Sequence, residues 1–561
     1  MQRRHEALWD EKFRSVMIGR IVGITRTFLH RRVRFLGIMP AAAQAAAAQT
    51  TQAAALRDER RFRWAIAALV LAAIAVRVPG IDRPLVGNFA TKSAVYAMIA
   101  RNWALDRAPI WCPTIDLTAG DERAWHLMEW PAAAFVAGQG WQLCGGSLDV
   151  WGRGVSIACS AGAVWLTMLL GRRWLGRTAA IAAGAVMAFS PVSIVYGQTF
   201  MLEASVAMLT VLTLYALDVG LAERRLGWLA LAAVAFSVLV VTKIYMLVLL
   251  LPLGSLMFRN QGRLAASALF LFAVAMLPTA WWYEQVAHIS ATSGPAFEHH
   301  PWARSTVHAF PQPLLFSTGY YLRLASDFAT HVLTPVGATV LLAGIAAVWR
   351  RGRWQLATLL AALGSLLIAL PLKFYAANYY YVVLLPGLAL ATGAAWAELQ
   401  RHLPKPWIRA SIACIGLMLA LRLAIGPAFE TPPGDEAVEV AATAAQAATP
   451  PDQPLATLHG SSVDLLYYCD RRGWALNAAD PEFAAKVTDA VARGARYLIV
   501  ADLATARKRP ETSAVLSALT VVKAGNDWQL LSLAPASWAA TAPSDSSHEQ
   551  SQDVAVVKSK E

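Results

Sequence analysis

The chain has 561 residues, of which 57% are hydrophobic and only 15% charged, and its mean hydropathy is +0.44. That is too little charge to coat a water-soluble protein of this size, so a soluble globular enzyme is excluded. The formal net charge is +13, but the arginines fall in short runs between apolar stretches and form no basic face with interleaved aromatics, which excludes nucleic-acid binding and points to the loops of a membrane protein.

Residues 1–60 read as a basic, low-complexity cytoplasmic arm, with HRRVRF and then an Ala/Gln run from Ala41 to Ala55. Residues 61–426 read as a transmembrane region. Apolar runs able to cross ~30 Å of hydrocarbon lie near 63–79, 154–170, 178–195, 202–220, 227–242, 244–257, 264–282, 329–348, 354–371, 379–397 and 408–425, about eleven spans in all. With the N-terminus inside, the connections GRRWLGR (171–177), AERR (222–225), FRNQGR (258–263), WRRGR (349–353) and QRHLPKPWIR (400–409) all fall on the cytoplasmic side. All are short and Arg-rich, the bias that sets orientation. The expected location is the inner (plasma) membrane, crossed many times.

Three long pieces then fall on the periplasmic face: loop 80–153, loop 283–328 and everything after about 426. In the first, TKSAVYAMIARNWAL has helical spacing. WPAAAFVAGQGWQL is apolar but short, with Trp at both ends, and reads as a helix lying in the interface. Cys112 and Cys144 share this loop, and either a disulfide or two free thiols fits. Cys159 and Cys414 sit inside apolar runs as packing residues, and the five cysteines show no metal-ligand spacing. Past 426, PLATLHG, GWALNA, PEFAAKVTDAVARG, ARYLIVAD and DWQLLSLAP alternate between strand and helix patterns. The reading is a small extracytoplasmic α/β domain over 427–540, followed by a disordered tail over 541–561. The expected fold class is therefore an α-helical polytopic membrane protein with a small C-terminal α/β domain.

Ionisable groups at membrane depth are costly and are functional candidates by default. On the outer face these are Glu129 in HLMEWP, together with His126; Glu203 at the start of the fourth span; Lys243 between two apolar runs; Lys373 with Tyr379, Tyr380 and Tyr381; and Lys92, Tyr96 and Arg101 in the first loop, with Asp116 as a further carboxylate. Glu129, Glu203 and Asp116 are candidate catalytic groups; Lys92, Tyr96, Arg101, His126, Lys243, Lys373, Tyr380 and Tyr381 are candidate substrate ligands. Transfer of a sugar from a lipid phosphate needs such a mixture: a carboxylate to take the acceptor proton, cations to hold the departing phosphate, and aromatics for sugar faces. Each residue also has a plainer role. Glu203 suits a helix N-terminus, the lysines can snorkel, the tyrosines can form an aromatic belt, Arg101 can pair with Asp106, and His299 and His300 read as loop surface. There is no phosphate-binding glycine loop and no zinc-protease helix. Partial burial at the membrane edge is expected to raise a carboxylate's pKa and so favour it as a base.

Four segments carry a resemblance: AVYAMIARNW (94–103), HLMEWPAAAF (126–135), FSPVSIVYGQTFMLEAS (189–205) and ANYYYVVLLP (377–386). In this order and spacing the chain resembles the glycosyltransferase C superfamily, in the bacterial branch near protein O-mannosyltransferases and the aminoarabinose transferase of lipid A. WGRGVS, with Arg153 and Ser156, followed by GRRWLG (171–176) is also similar, and DRRGWAL (470–476) looks like the C-terminal tail of some members. The resemblance implies an inverting, metal-optional transferase that takes its sugar from a polyprenyl-phosphate donor. The acceptor would be a lipid, a glycan or a protein. No cofactor is called for, and a divalent cation stays open. Glu203 matches the acidic position at the start of the fourth span, and Glu129 the acidic residue before the proline. The chain departs from the pattern where many members carry an acidic residue soon after the first span. GNFATKSAVY (87–96) holds no carboxylate, and only Asp82 and Asp116 flank it. Glu129 is then favoured as the base, with Glu203 holding the site together. Two rivals are a non-catalytic scaffold that binds polyprenyl lipid and a lipid or solute transporter. The second should show inverted repeats and Gly/Pro-broken helices, and the sequence reading finds neither.

Overall fold

The structure, a computed structural model, describes residues 41–533 apart from 88, 120–121, 260–261, 293–312, 351–352 and 404. The expected tail over 541–561, the first forty residues of the arm, and His299 and His300 lie outside the described residues. Each apolar run read from the sequence is mostly helical. The first, α1 (Ala41–Ala75), also takes in the Ala/Gln run, since alanine is the best helix former.

The loop that follows holds α2 (Ala90–Ala104) and α3 (Ala132–Cys144), both at the places read from the sequence. They cross closely. A Cβ at Gly138 would lie 2.5 Å from the Ala100 carbonyl oxygen, so no larger residue fits there. Cys112 and Cys144 are both free thiols. Next come α4 (Leu148–Leu175), α5 (Arg177–Phe189), the short α6 (Pro191–Tyr196), α7 (Glu203–Glu223) and α8 (Leu226–Thr242).

Among the described residues, five helices are long and apolar enough to cross a membrane: α4, α7, Arg263–Ile289, Asn378–His402 and Pro406–Phe429. The pair Thr318–Val332 and Pro335–Ala346, bent by 111°, adds a sixth if it is one span. Four shorter apolar helices accompany them: α5, α8, Ile244–Arg259 and Trp354–Ala369. The expectation of no Gly/Pro-broken helices is thus corrected, because several apolar stretches are broken. Proline accounts for three breaks, at Pro191, Pro335 and Pro371, since it lacks the N–H and its ring clashes with the preceding turn. The fourth is at Lys243, where the backbone turns extended after α8. Broken helices are stable at membrane depth where protein or a cavity covers the freed backbone groups.

Three of the long helices form a buried centre. The apolar windows of α4, α7 and Asn378–His402 are 67%, 72% and 72% buried, against 17% for Arg263–Ile289 and 11% for Pro406–Phe429, which present their sides outward. Without a hydrophobic force between helices in lipid, close backbone approach does the packing. At Gly393 a Cβ would lie 2.3 Å from the Ala179 carbonyl oxygen, so only glycine lets Asn378–His402 meet α5.

The C-terminal piece contributes five strands to a seven-stranded sheet of order β2-β1-β4-β3-β5-β7-β6. The sheet's strands are β1 (Thr114–Ala119), β2 (Glu122–Trp125), β3 (Leu455–Leu458), β4 (Gly473–Leu476), β5 (Tyr497–Ala501), β6 (Thr520–Gly525) and β7 (Trp528–Ser532). Strands β4, β3 and β5 are parallel, while β7 and β6 return antiparallel. Alternation along β5 sends Leu498 and Val500 to one face and Ile499 and Ala501 to the other, so helices cover both sides. The hairpin β1–β2 comes from the first loop and was not read from the sequence; it joins the sheet through Leu117 beside Gly473.

A buried histidine ties this sheet down. His459 Nδ1 lies 2.8 Å from Asp464 Oδ1 and its Nε2 lies 3.0 Å from Asp435 Oδ1. Burial alone would lower its pKa, but the hydrogen bonds and charges of the two aspartates more than offset this and push it up to about 10. The unfolded imidazole titrates near 6.5. The raised folded pKa means that the stabilisation is fully present below pH 6.5 and is lost as pH rises through about 10. Thermal unfolding across this range should show the melting temperature of the parent chain falling relative to that of His459→Gln. Parallel profiles for the two would rule out the imidazolium.

Candidate active site

One cavity of about 140 Å³ opens where the breaks and the first loop meet. Its lining includes Lys92, Tyr96, His126, Glu129, Lys243, Lys373 and Tyr380, all read as site residues from the sequence. Lys92 and Tyr96 stand one turn apart at the start of α2. The residue before that helix, Phe89, holds a left-handed backbone at φ 58°, which costs a bulky residue about 1–3 kcal/mol. Its ring packs edge-on against Tyr379 at 4.9 Å, fixing the entry to α2.

Glu129 follows β2 in an extended segment bound to the end of α8. Trp130 N donates to Val241 O at 3.2 Å, and Thr242 Oγ1 donates to Trp130 O at 3.4 Å. The Glu129 carboxylate accepts from the Tyr96 hydroxyl and the Lys243 ammonium. Lys92 Nζ stands 3.8 Å from it and 4.7 Å above the Tyr379 ring. Burial alone would push the Glu129 carboxyl up, but Lys243, Lys92 and His126 together hold it well below the usual carboxylate range. The expected rise is therefore corrected: two ammoniums outweigh desolvation, and Glu129 is an anion at neutral pH. For Lys92 the balance is the mirror image: burial would lower its pKa and Glu129 raises it above the ordinary lysine value.

Glu203 is the first residue of α7 and is fully buried. Its Oε1 lies 3.8 Å from Lys243 Nζ, and neither oxygen has a hydrogen-bond partner among the described residues. It sits behind the cavity wall, with Lys243 between it and Glu129. Lys373 stands half-buried at the mouth, 5.6 Å above the Tyr380 ring.

Three of the sequence candidates lie elsewhere. Asp116, on β1, is 1% exposed and held by Arg101 at 2.7 Å, Arg123 at 2.8 Å and Asn102 at 3.3 Å. Arg101 turns away from the cavity, pairing with Asp116 and Asp470 and donating to Tyr467 O at 2.9 Å. Its expected local pair, Asp106, is replaced because α2 packs against the helix Asp464–Cys469. Tyr381 donates to Asp327 at 3.0 Å, on the other side of its helix. Conversely, two further tyrosines line the cavity: Tyr379, grouped with its neighbours as a candidate but not assigned as a ligand, and Tyr245, not read as a candidate at all. The Tyr245 hydroxyl lacks a hydrogen-bond partner among the described residues. For Tyr245 the only available signal was adjacency, two residues after Lys243.

The sequence profile described as dolichyl-phosphate-mannose-protein mannosyltransferase matches residues 129–283, from Glu129 past Lys243. No curated protein matches the chain. Solved structures do. ArnT from Cupriavidus metallidurans bound to undecaprenyl phosphate superposes with TM-score 0.56 at 17% identity, over 84% of this chain and 98% of that one. Archaeal oligosaccharyltransferase AglB from Archaeoglobus fulgidus, in complex with an inhibitory peptide and a dolichol-phosphate, gives 0.53 at 12%, over 82% and 71%. Arabinofuranosyltransferase AftD from Mycobacteria gives 0.55 at 16%, over 84% of this chain and 40% of that much longer one.

Proposed function

For a membrane chain with the glycosyltransferase C fold, we propose inverting transfer of a sugar from a polyprenyl-phosphate carrier to an acceptor hydroxyl at the periplasmic face. The observation that carries this reading is the gathering of Lys92, Lys243 and Lys373 with Glu129 around one cavity, Glu203 close behind, at the ends of apolar helices. A lipid-borne anion reaches such a place from the bilayer, and nearby ammoniums can meet its charge.

In the step, the acceptor oxygen attacks the sugar's anomeric carbon from the face opposite the phosphate. The bond from that carbon to the phosphate oxygen breaks, and its electron pair leaves with the phosphate. The acceptor proton passes to Glu129, already ionised and lining the cavity. Arrival of the donor phosphate draws Lys92 toward itself, which raises the proton affinity of Glu129 just as a base is needed. Tyr245 offers an open hydroxyl to a sugar, and Tyr379 an aromatic face beside it.

Release of labelled sugar from a polyprenyl-phosphate sugar by the purified chain in lipid nanodiscs tests the reading. Donor that binds but is never consumed, with lipid, glycan and peptide acceptors all supplied, would favour a scaffold. Lys92 and Lys373 flank the mouth and are assigned to the phosphate. The double change to Met keeps the apolar stems, and donor affinity is expected to fall by about 1–3 kcal/mol per lost charged contact. Unchanged binding in a titration would leave both as snorkelling residues.

A further inference from the structure

We propose that Lys243 is a resident cation which holds Glu129 and Glu203 together in the place where a divalent metal would otherwise bridge them, so that chemistry at this cavity proceeds without one. The proposal rests on the reading of the cavity as a transfer site and goes beyond it.

The two carboxylates come from unrelated elements, the segment after β2 and the first turn of α7, yet converge on one nitrogen. Lys243 Nζ hydrogen-bonds Glu129 Oε2 and lies 3.8 Å from Glu203 Oε1. Glu129 is 7% exposed, Glu203 0% and Lys243 5%. Two buried carboxylates so close require a cation between them if both are to remain charged. Enzyme sites often fill that position with a metal ion. Here the chain fills it with its own ammonium, a compact point charge with three donors.

The placement is built in. Lys243 occupies the break after α8, with extended backbone at φ −146° and ψ 98°, which turns its side chain out of the helical row. The hydrogen bonds of Trp130 to Val241 and Thr242 fasten the Glu129 segment to the same break. The same break therefore positions both the cation and the carboxylate. Among the described residues no three His, Cys, Asp or Glu side chains gather as a metal site, so the donor set at the cavity is two carboxylates with an ammonium already between them. A divalent cation entering there would have to expel that ammonium from buried partners. Glu203, meanwhile, keeps oxygens with no hydrogen-bond donor, so removing the ammonium would leave both carboxylates open to a metal.

The test is a titration of the full chain in nanodiscs with Mn(II) alone, followed by electron paramagnetic resonance as loss of the free-ion signal. The parent chain is expected to show no saturable site that depends on Glu129, up to about 1 mM, the weak end of protein cation sites. Lys243→Ala is expected to gain one saturable site, and Lys243→Ala/Glu203→Gln to lose it again. Lys243→Arg, which keeps the charge, should bind none. Sugar release by the parent chain should be equal in chelator and in Mg(II) or Mn(II). A Glu129-dependent Mn(II) site in the parent chain would overturn the proposal, as would chelator-abolished transfer restored by metal. So would a folded Lys243→Ala that binds no Mn(II). Should Lys243→Ala fail to fold, the parent titration and the chelator assay still decide. If the chain proves to transfer no sugar, the titration reads the cation independently, and only the transfer reading falls.

Discussion

Glu129→Gln is expected to lower turnover of a polyprenyl-phosphate sugar by about 100-fold or more, the range for loss of a general base, while donor binding survives. The substitution keeps size and removes the charge. Of the two carboxylates at the cavity, Glu129 lines it and is open to an acceptor. Glu203 is fully buried behind it and meets Lys243. Because its neighbours hold Glu129 well below the usual carboxylate range in the free chain, kcat/KM of the parent should show no loss of the base form anywhere between pH 5 and 8. Glu203→Gln should act through the placement of Lys243 and Glu129, lowering turnover as well. Single-turnover rates with bound donor measure the step itself. Normal rates in both Gln variants would move the base to another group.

The second large effect concerns stability. Asp116→Ala is expected to cost about 3–5 kcal/mol, the penalty for breaking a buried ion pair and leaving its partner unpaired. Asp116 is 1% exposed between Arg101 and Arg123, and Arg101 also holds Tyr467 and Asp470 of the C-terminal piece. Removing the carboxylate leaves two guanidiniums facing each other where α2 meets the sheet. Thermal unfolding should shift steeply downward, with activity per folded molecule little changed at low temperature. A variant that melts like the parent but no longer turns over would instead place Asp116 in the chemistry.

Much of this organisation was legible locally. The cost of placing an apolar or charged group in hydrocarbon belongs to that residue alone, so the apolar runs could be read one at a time. Strand alternation in YLIVA and helical spacing in TKSAVYAMIARNWAL are local too. The same logic singled out Glu129, Glu203, Lys92, Lys243 and Lys373, since charge at membrane depth is conspicuous wherever it occurs. The tertiary structure decided what those charges do to one another. Lys243 and Glu129 are 114 residues apart, and their pairing reversed the expected direction of the Glu129 pKa. Three successive tyrosines looked equivalent, yet a turn at Asn378–Tyr380 sends Tyr379 and Tyr380 to the cavity and Tyr381 to Asp327. Asp116 and Arg101 resembled site residues until packing joined them to the C-terminal sheet. Hairpin β1–β2 carries no distinctive pattern of its own, because an edge strand is selected by the partner it pairs with. Partner choice is a property of the whole fold, and no window of the sequence contains it.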